Sequence, residues 1–227
     1  MKRFVVLFAV VFALTPLVTR STPEAFAAGG LTLPKDHAEW MKNEFYKESF
    51  ERFAALMKEA KEKLGAEEYV AVVRANENAA KDMEEESNSG PDEWGTTWNL
   101  RADDIGQVIA WDWLRKNANG AQGYYTLKDE FQDGYLTVRK NDDGSGYAVT
   151  IFAIQKDEPY NSGEVTGEGK LDGNKMTVDF GSEEPAETVT VTFDGETANV
   201  ETSLAFHGSG WLGLNVYIDG EYVREKK

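Results

Sequence analysis

The chain has 227 residues, a formal net charge of −16 and no cysteine. The lack of thiols excludes disulfide bonds, thiolate metal sites and a cysteine nucleophile. The acidic balance disfavours binding to nucleic acid and to anionic lipid, and it favours cationic partners.

Residues 1–27 are typical of an export signal. Lys2 and Arg3 precede an unbroken apolar run over 4–14 that is too short to span a bilayer, and 25–27 read Ala-Phe-Ala, a small-x-small cleavage site. We therefore expect a cleaved signal peptide and a periplasmic or extracellular protein with no membrane attachment after cleavage. Cleavage removes three basic residues and one acidic residue, so the formal charge goes from −16 to −18.

Three stretches between 28 and 120 have the apolar periodicity of amphipathic helices. The first ends at Gly65, the second begins near Ala66, and the third covers Thr97 to Lys116. Their apolar stripes consist of Met41, Phe45, Phe53, Leu56, Ala60 and Leu64, of Tyr69, Val72, Val73, Asn76, Ala79, Ala80 and Met83, and of Trp98, Ala102, Ile105, Ile109 and Trp113. The pattern predicts a helical domain over 28–120.

Two features of these stripes call for an interpretation. Asn76 is polar, so we expect it either to bond to a neighbouring helix or to lie at the edge of its stripe. Trp98 and Trp113 are expected to pack against the first two helices, and a carbohydrate-stacking platform is the alternative.

Between 121 and 227, short alternating segments are separated by Asp-Gly pairs, at Asp172-Gly173, Asp194-Gly195 and Asp219-Gly220. Such a pair between alternating runs predicts a hairpin with a type I′ turn, in which both residues have positive φ. Several hairpins in series form an antiparallel meander that can close and protect its edges. The predicted fold class is α+β, with an N-terminal three-helix segment followed by an antiparallel β-meander or small β-barrel over 121–227.

No motif for catalysis or metal binding is found in the sequence. His37 and His207 are the only histidines, and neither has the spacing of a zinc motif or of a nucleophile–base pair. The segment NDDGSG over 141–146 offers oxygen donors, but a hairpin turn is the expected role and a calcium site is the alternative. We predict that the protein is not an enzyme and uses no metal and no cofactor.

The segment FHGSGWLG, Phe206 to Gly213, is the candidate binding loop. Its glycines allow polar and aromatic side chains to project from a rigid sheet. The candidate partner-binding residues are Phe206, His207, Ser209 and Trp211. The alternative is a structural loop in which the tryptophan folds onto the end of the barrel.

Two segments resemble a known exported family. YKESFERFAALMKEAKEKLGAEEYVAVVRANENAAKDMEEE, over 46–86, resembles the small helical domain of the LprI-type lysozyme inhibitors, with Lys81-Asp82 at the family's Arg-Asp position. AFHGSGWLGLNVYIDGEYVRE, over 205–225, is similar to the β-modules that follow such domains. The resemblance implies binding to lysozyme-like muramidases.

The sequence thus leads to one preferred hypothesis about function and two alternatives. The preferred hypothesis is an exported binding protein that blocks a cationic muramidase by occlusion, with its acidic surface steering the encounter. One alternative is a structural or envelope-maintenance interaction module without inhibitory activity. The other is a hydrolase of wall glycans that uses carboxylates not identified by any motif.

Overall fold

The computed structural model describes residues 33–34, 36–85, 90–179, 187–203, 206 and 212–227. The predicted signal at 1–27 lies outside these residues. The chain divides into two compact units, Met1–Ala110 and Trp111–Lys227, so the boundary predicted at 120 falls inside the second unit. Within the described ranges, no helix combines the length and the apolar character needed to cross a membrane.

In the described part of the chain, four helices precede the strands: α1 (His37–Trp40), α2 (Glu44–Lys63), α3 (Ala66–Glu85) and α4 (Pro91–Lys116). The three long ones correspond to the predicted helices, and the short α1 is an addition to them. Helix α2 begins after Asn43, whose side chain accepts a hydrogen bond from the Tyr46 amide at 3.0 Å. Helix α4 begins before the predicted Thr97, because Pro91 suits the first helical position and Glu93 accepts a hydrogen bond from the Gly90 amide at 3.1 Å.

The core of the first unit is aromatic. Trp98 is 1% exposed, and its ring centroid lies 4.8 Å from that of Phe53 on α2. The prediction that Trp98 packs against the other helices is therefore confirmed. The stripe predicted for α2 is wrong at its start, because Tyr46 is fully buried while Phe45 is 44% exposed. The prediction that Trp113 packs against the first two helices is also wrong, because its side chain is 46% exposed.

Asn76 is buried in this core and only partly satisfied. Its Nδ2 donates to the Val72 carbonyl of the same helix at 2.7 Å and lies 3.8 Å from Met57 Sδ on α2. Its Oδ1 is buried and has no hydrogen-bond partner among the described residues. A buried acceptor without a donor costs about 1–3 kcal/mol.

We therefore expect Asn76→Leu to raise the free energy of unfolding by about 1 kcal/mol, because leucine has a similar size and leaves no unpaired oxygen. Urea unfolding followed by circular dichroism measures the change. Asn78→Leu, at an exposed position on the same helix, is the matched control and should change stability by less than about 0.5 kcal/mol. A destabilised Asn76→Leu protein would show that the amide is required.

Eight antiparallel strands form a closed barrel in which each strand pairs with its neighbours in sequence. They are β1 (Gly123–Leu127), β2 (Gln132–Lys140), β3 (Tyr147–Gln155), β4 (Ser162–Asp172), β5 (Lys175–Asp179), β6 (Thr188–Asp194), β7 (Thr197–Thr202) and β8 (Gly220–Glu225). The barrel closes where β1 meets β8, with Thr126 opposite Val223. The α+β class and the antiparallel barrel are confirmed.

The type of the hairpin turns differs from the prediction. Asp194 pairs with Thr197, so the central turn residues are Gly195 and Glu196, and of these only the glycine has positive φ, at 58°. Glycine at the first central position defines a type II′ turn, not type I′. Gly173 has the same place between β4 and β5, with φ 60°. The third pair is not a hairpin turn, because Gly220 is the first residue of β8.

Gly195→Val is expected to lower the free energy of unfolding by about 1–2 kcal/mol. No atom lies within 4 Å of the position that a Cβ would take at Gly195, so the cost comes from positive φ at a β-branched residue and not from a clash. Guanidinium unfolding compares this variant with Lys175→Arg, an exposed change in a neighbouring strand. Equal midpoints for the two proteins would contradict the assigned turn.

The first three strands carry a second, outer layer of aromatic side chains. Trp111, near the end of α4, is 4% exposed and lies 5.4 Å from the Tyr124 ring and 4.8 Å from the Tyr135 ring, measured between centroids. The Tyr135 ring in turn stacks on Phe152 at 5.3 Å. The end of α4 is therefore part of the barrel unit.

The two ends of the barrel differ. The connections between strands alternate from end to end in an up-and-down barrel. One end has the turn at 141–146 and the short two-residue turns at 173–174 and 195–196, and the other has the connections that include 128–131, 156–161 and 212–219. We call the second end the open end.

Candidate functional site

A pocket of about 460 Å³ lies at the open end of the barrel. It is lined by residues of the connections 128–131 and 156–161, by segment 212–219 and by the adjoining strand ends. Four of its lining residues are acidic, namely Asp129, Asp157, Glu158 and Asp219. No lining residue is basic. The described pocket wall is therefore strongly negative.

Two of the four carboxylates hold the connections in place. Asp129 Oδ1 accepts hydrogen bonds from the amides of Phe131, at 2.7 Å, and Gln132, at 2.8 Å. Asp219 Oδ1 accepts from the Thr202 amide at 2.7 Å, and both of its oxygens lie within 2.9 Å of the Thr202 hydroxyl. These carboxylates fix the backbone at the pocket.

The other two carboxylates, Asp157 and Glu158, are exposed and form no ion pair or side-chain hydrogen bond with any other described residue. The adjacent Lys156 does not neutralise them. Its Nζ donates to the Asp129 carbonyl at 2.8 Å and lies 3.3 Å from Asp133 Oδ1. The pocket thus keeps two unpaired negative charges on its β3–β4 side.

Side-chain amides hold segment 212–219, which is not a strand over most of its length. Gln132 accepts from the Tyr217 amide at 2.9 Å and donates to the Tyr217 carbonyl at 3.2 Å. Gln155 donates to the Asn215 carbonyl at 3.0 Å, and Asn161 donates to the Leu214 carbonyl at 2.9 Å. Four backbone groups of this segment are therefore bonded to side chains of the strand ends and of the β3–β4 connection, which fixes its position.

Close backbone packing holds the start of the same segment. A Cβ at Gly163 would lie 2.9 Å from Leu212 Cα, and a Cβ at Gly213 would lie 2.8 Å from the Ser162 carbonyl oxygen. Only glycine allows this approach without a shift of the backbone. Segment 212–219 is thus docked on the beginning of β4.

Apolar side chains are exposed around the pocket. Phe131 and Tyr217 line it and are 74% and 52% exposed. Leu214, in the fixed segment, is 76% exposed, and Tyr160 is 41% exposed. Exposed apolar side chains beside charged groups are typical of protein-binding surfaces. We call Phe131, Asp157, Glu158, Leu214 and Tyr217 the acidic-aromatic rim.

The Tyr222 hydroxyl, which is affected by these two carboxylates, stays protonated at neutral pH. Burial raises the pKa of Tyr222 well above its usual range, and the charges of Asp219 and Asp129 raise this pKa further. The hydroxyl donates to the Ile218 carbonyl at 2.9 Å. Tyr222 thus holds the Ile218 backbone inside the barrel unit.

Of the four residues predicted to bind a partner, the structure describes only Phe206. Phe206 is 2% exposed and packs in the barrel core, so its side chain offers no contact surface. His207, Ser209 and Trp211 lie outside the described residues. The rim residues Phe131, Asp157 and Glu158 were missed by the sequence reasoning, although Asp157-Glu158-Pro159 directly follows a predicted strand.

The calcium alternative at 141–146 has no further support. Asp143 Oδ1 accepts from the Ser145 amide at 2.8 Å, and the Asn141 amide donates to the Gly146 carbonyl at 2.9 Å, which makes this segment a hairpin turn between β2 and β3. In the part of the chain that the structure describes, no group of three or more histidine, cysteine, aspartate or glutamate residues could hold a metal ion.

Asp104 on α4, in the first unit, has a perturbed carboxyl group. Burial raises the pKa of Asp104 to about 6, while Arg101 opposes the shift and Asp103 adds to it. Arg101 Nη2 lies 3.3 Å from Asp104 Oδ2. A perturbed pKa can mark a functional site, but ion pairs within the fold perturb pKa values in the same way.

This raised pKa leads to a prediction about stability. Because the folded protein favours the protonated form, the contribution of Asp104 is fully present below pH 3.8 and is lost as the pH rises through about 6. Asp104→Asn is therefore expected to raise the unfolding temperature at pH 7 by about 2–4 °C and to change it little at acidic pH. Calorimetry tests this against Asp82→Asn, an exposed position on α3. A rise in the unfolding temperature at acidic pH alone would contradict the predicted direction of the pH dependence.

No protein-family model, no curated protein and no solved structure matches this chain. The similarity to LprI-type inhibitors therefore stays a prediction. The function proposed next is supported by the geometry of the pocket and by the charge of the chain.

Proposed function

We propose that this protein is an exported binding protein, not an enzyme, that captures a cationic protein of the lysozyme type at the open end of its barrel. The observation that carries the proposal is a pocket with four acidic and no basic lining residues, bordered by exposed Phe131 and Tyr217. Such a surface matches a partner that is basic and has an apolar patch.

The negative charge of the chain promotes the encounter. The formal charge is −16, and −18 after removal of the predicted signal, so a basic protein is attracted from a distance. This attraction is screened by salt, with a Debye length of about 8 Å at physiological ionic strength. Long-range attraction alone does not distinguish one basic protein from another.

The acidic-aromatic rim provides the short-range contacts. Exposed Phe131 and Tyr217 can become buried against a partner, and buried aromatic anchors dominate the affinity of many interfaces. Because Gln132, Gln155 and Asn161 already hold segment 212–219, little backbone entropy is lost on binding. A rigid rim that enters the substrate cleft of a muramidase would block it without any catalytic residue.

A comparison of two basic partners tests the proposal. The protein without residues 1–27 is titrated with a lysozyme and with cytochrome c, at about 0.1 M and about 1 M salt, where the Debye lengths are about 10 Å and 3 Å. We expect tighter binding to lysozyme at both salt concentrations, together with loss of muramidase activity. Equal binding to the two proteins, lost at high salt, would contradict the proposal and favour the envelope-module alternative.

A further inference from the structure

We infer that the pocket accepts the guanidinium group of an arginine side chain in preference to the ammonium group of a lysine. This inference rests on the proposed function, since the arginine would belong to the cationic partner. It adds the chemical group that the pocket recognises.

The first observation is that the pocket offers acceptors that lack donors. Asp157 and Glu158 have no charged partner among the described residues. Gln155 also lines the pocket, and its Oε1 is buried without a hydrogen-bond partner in the described chain, while its Nε2 is used by the Asn215 carbonyl. The acceptors that are open to a ligand are therefore the exposed carboxylates of Asp157 and Glu158, and a ligand with several N–H groups can donate to both.

The second observation is that aromatic rings stand beside these acceptors. Tyr217 and Phe131 line the same pocket and present much of their rings to solvent. A guanidinium group is planar, has five N–H donors and stacks on aromatic faces, whereas an ammonium group has three donors and no planar face. The combination of several acceptors with rings therefore favours arginine over lysine.

The barrel unit already binds two of its own arginines in this way. Arg115 lies over the Tyr124 ring at 4.1 Å and donates through Nε to Glu225 at 2.7 Å. Arg224 lies over the Tyr125 ring at 5.0 Å and is 3.9 Å from a Glu196 oxygen. In both places a ring and a carboxylate hold one guanidinium group, and the pocket presents the same two groups without a basic residue among those that line it.

The basic residues next to the pocket are held elsewhere. Lys156 contacts Asp133 and the Asp129 carbonyl, and Lys128 Nζ lies 3.5 Å from Glu221. The volume of about 460 Å³ is in the range of pockets that hold small organic ligands. The described part of the pocket can therefore admit a side chain of this kind.

Three small probes test the inference on the protein without residues 1–27. N-acetyl-arginine amide, N-acetyl-lysine amide and N-acetyl-citrulline amide are titrated separately, and binding is followed by NMR. We expect the arginine probe to bind about tenfold more tightly than the lysine probe, and the uncharged citrulline probe to bind weakest. The variant Asp157→Asn with Glu158→Gln should lose the preference for arginine.

The matched control removes two charges at the other end of the barrel, with Asp172→Asn and Asp194→Asn, and should keep that preference. Equal binding of the arginine and lysine probes, or an unchanged preference in the pocket variant, would overturn the inference. Titration with lysozyme separates this failure from that of the proposed function. Tight lysozyme binding without an arginine preference overturns only the inference, whereas an arginine preference without lysozyme binding overturns only the proposed partner.

Discussion

Trp111→Ala is expected to lower the free energy of unfolding of the barrel unit by about 3–5 kcal/mol. The indole is 4% exposed and packs on the rings of Tyr124 and Tyr135, which are themselves 1% and 2% exposed. Its removal leaves a cavity between the helix and the outer face of the first strands, and a helix cannot easily collapse into it. Urea unfolding monitored by tyrosine fluorescence measures the loss.

Trp113→Ala is the matched control for this variant. It removes the same side chain two positions further along α4, where the indole is 46% exposed. Surface substitutions of this kind change stability by about 0.5 kcal/mol or less. A similar loss in the two variants would contradict the packing of Trp111 in the outer aromatic layer on the first strands.

Asp157→Asn combined with Glu158→Gln is expected to weaken binding to lysozyme by about tenfold or more at low salt. Close charge pairs across an interface contribute about 1.5 kcal/mol or more, and about 1.4 kcal/mol corresponds to a factor of ten in Kd. Both carboxylates are exposed and have no partner among the described residues, so their removal should leave the fold unchanged. Isothermal titration calorimetry gives the two dissociation constants.

The control is the pair Asp172→Asn and Asp194→Asn, which changes the net charge by the same amount at the end of the barrel with the short turns. We expect its effect on Kd to stay within about threefold, because only long-range attraction is reduced. If both pairs weaken binding equally, the pocket does not select the partner and only the overall charge of the protein matters.

The helices and the barrel could be predicted from local patterns, but the assignment of single residues could not. The stripe predicted for the third helix continues from Ile109 to Trp113, whereas the buried residue is Trp111. The pattern changes there because Ile109 belongs to the helical core, while Trp111 packs on aromatic residues of the barrel. A helix whose buried residues pack in two different units has two buried faces. A search for a single apolar stripe does not detect the change from one face to the other.

The hairpin turns could also be predicted only in part from the sequence. The Asp-Gly pairs correctly marked two turns between strands, but strand pairing decides which residues occupy the central positions. Because Asp194 pairs with Thr197, the aspartate is the last strand residue and the turn is type II′. At Asp219-Gly220 no pairing across the two residues exists, so the same dipeptide only precedes a strand.

The pocket could not be predicted from the sequence, because closure of the barrel creates it. Asp157 and Glu158 follow β3, whereas Tyr217 lies in the connection before β8. They meet only because Gln132 and Gln155, at strand ends, hold segment 212–219 in place. Glutamine at the end of a strand is too common to indicate such a role from sequence alone.

The most direct test of the proposed binding site is a map of the lysozyme contact on the barrel. The protein without residues 1–27 is labelled with ¹⁵N, and its amide shifts are followed while lysozyme is added at physiological ionic strength. We expect the largest shift changes at 128–131, 156–161 and 212–219 and no change at the turns 173–174 and 195–196. Changes confined to the helices, or spread evenly over acidic surface residues, would contradict a binding site at the open end of the barrel.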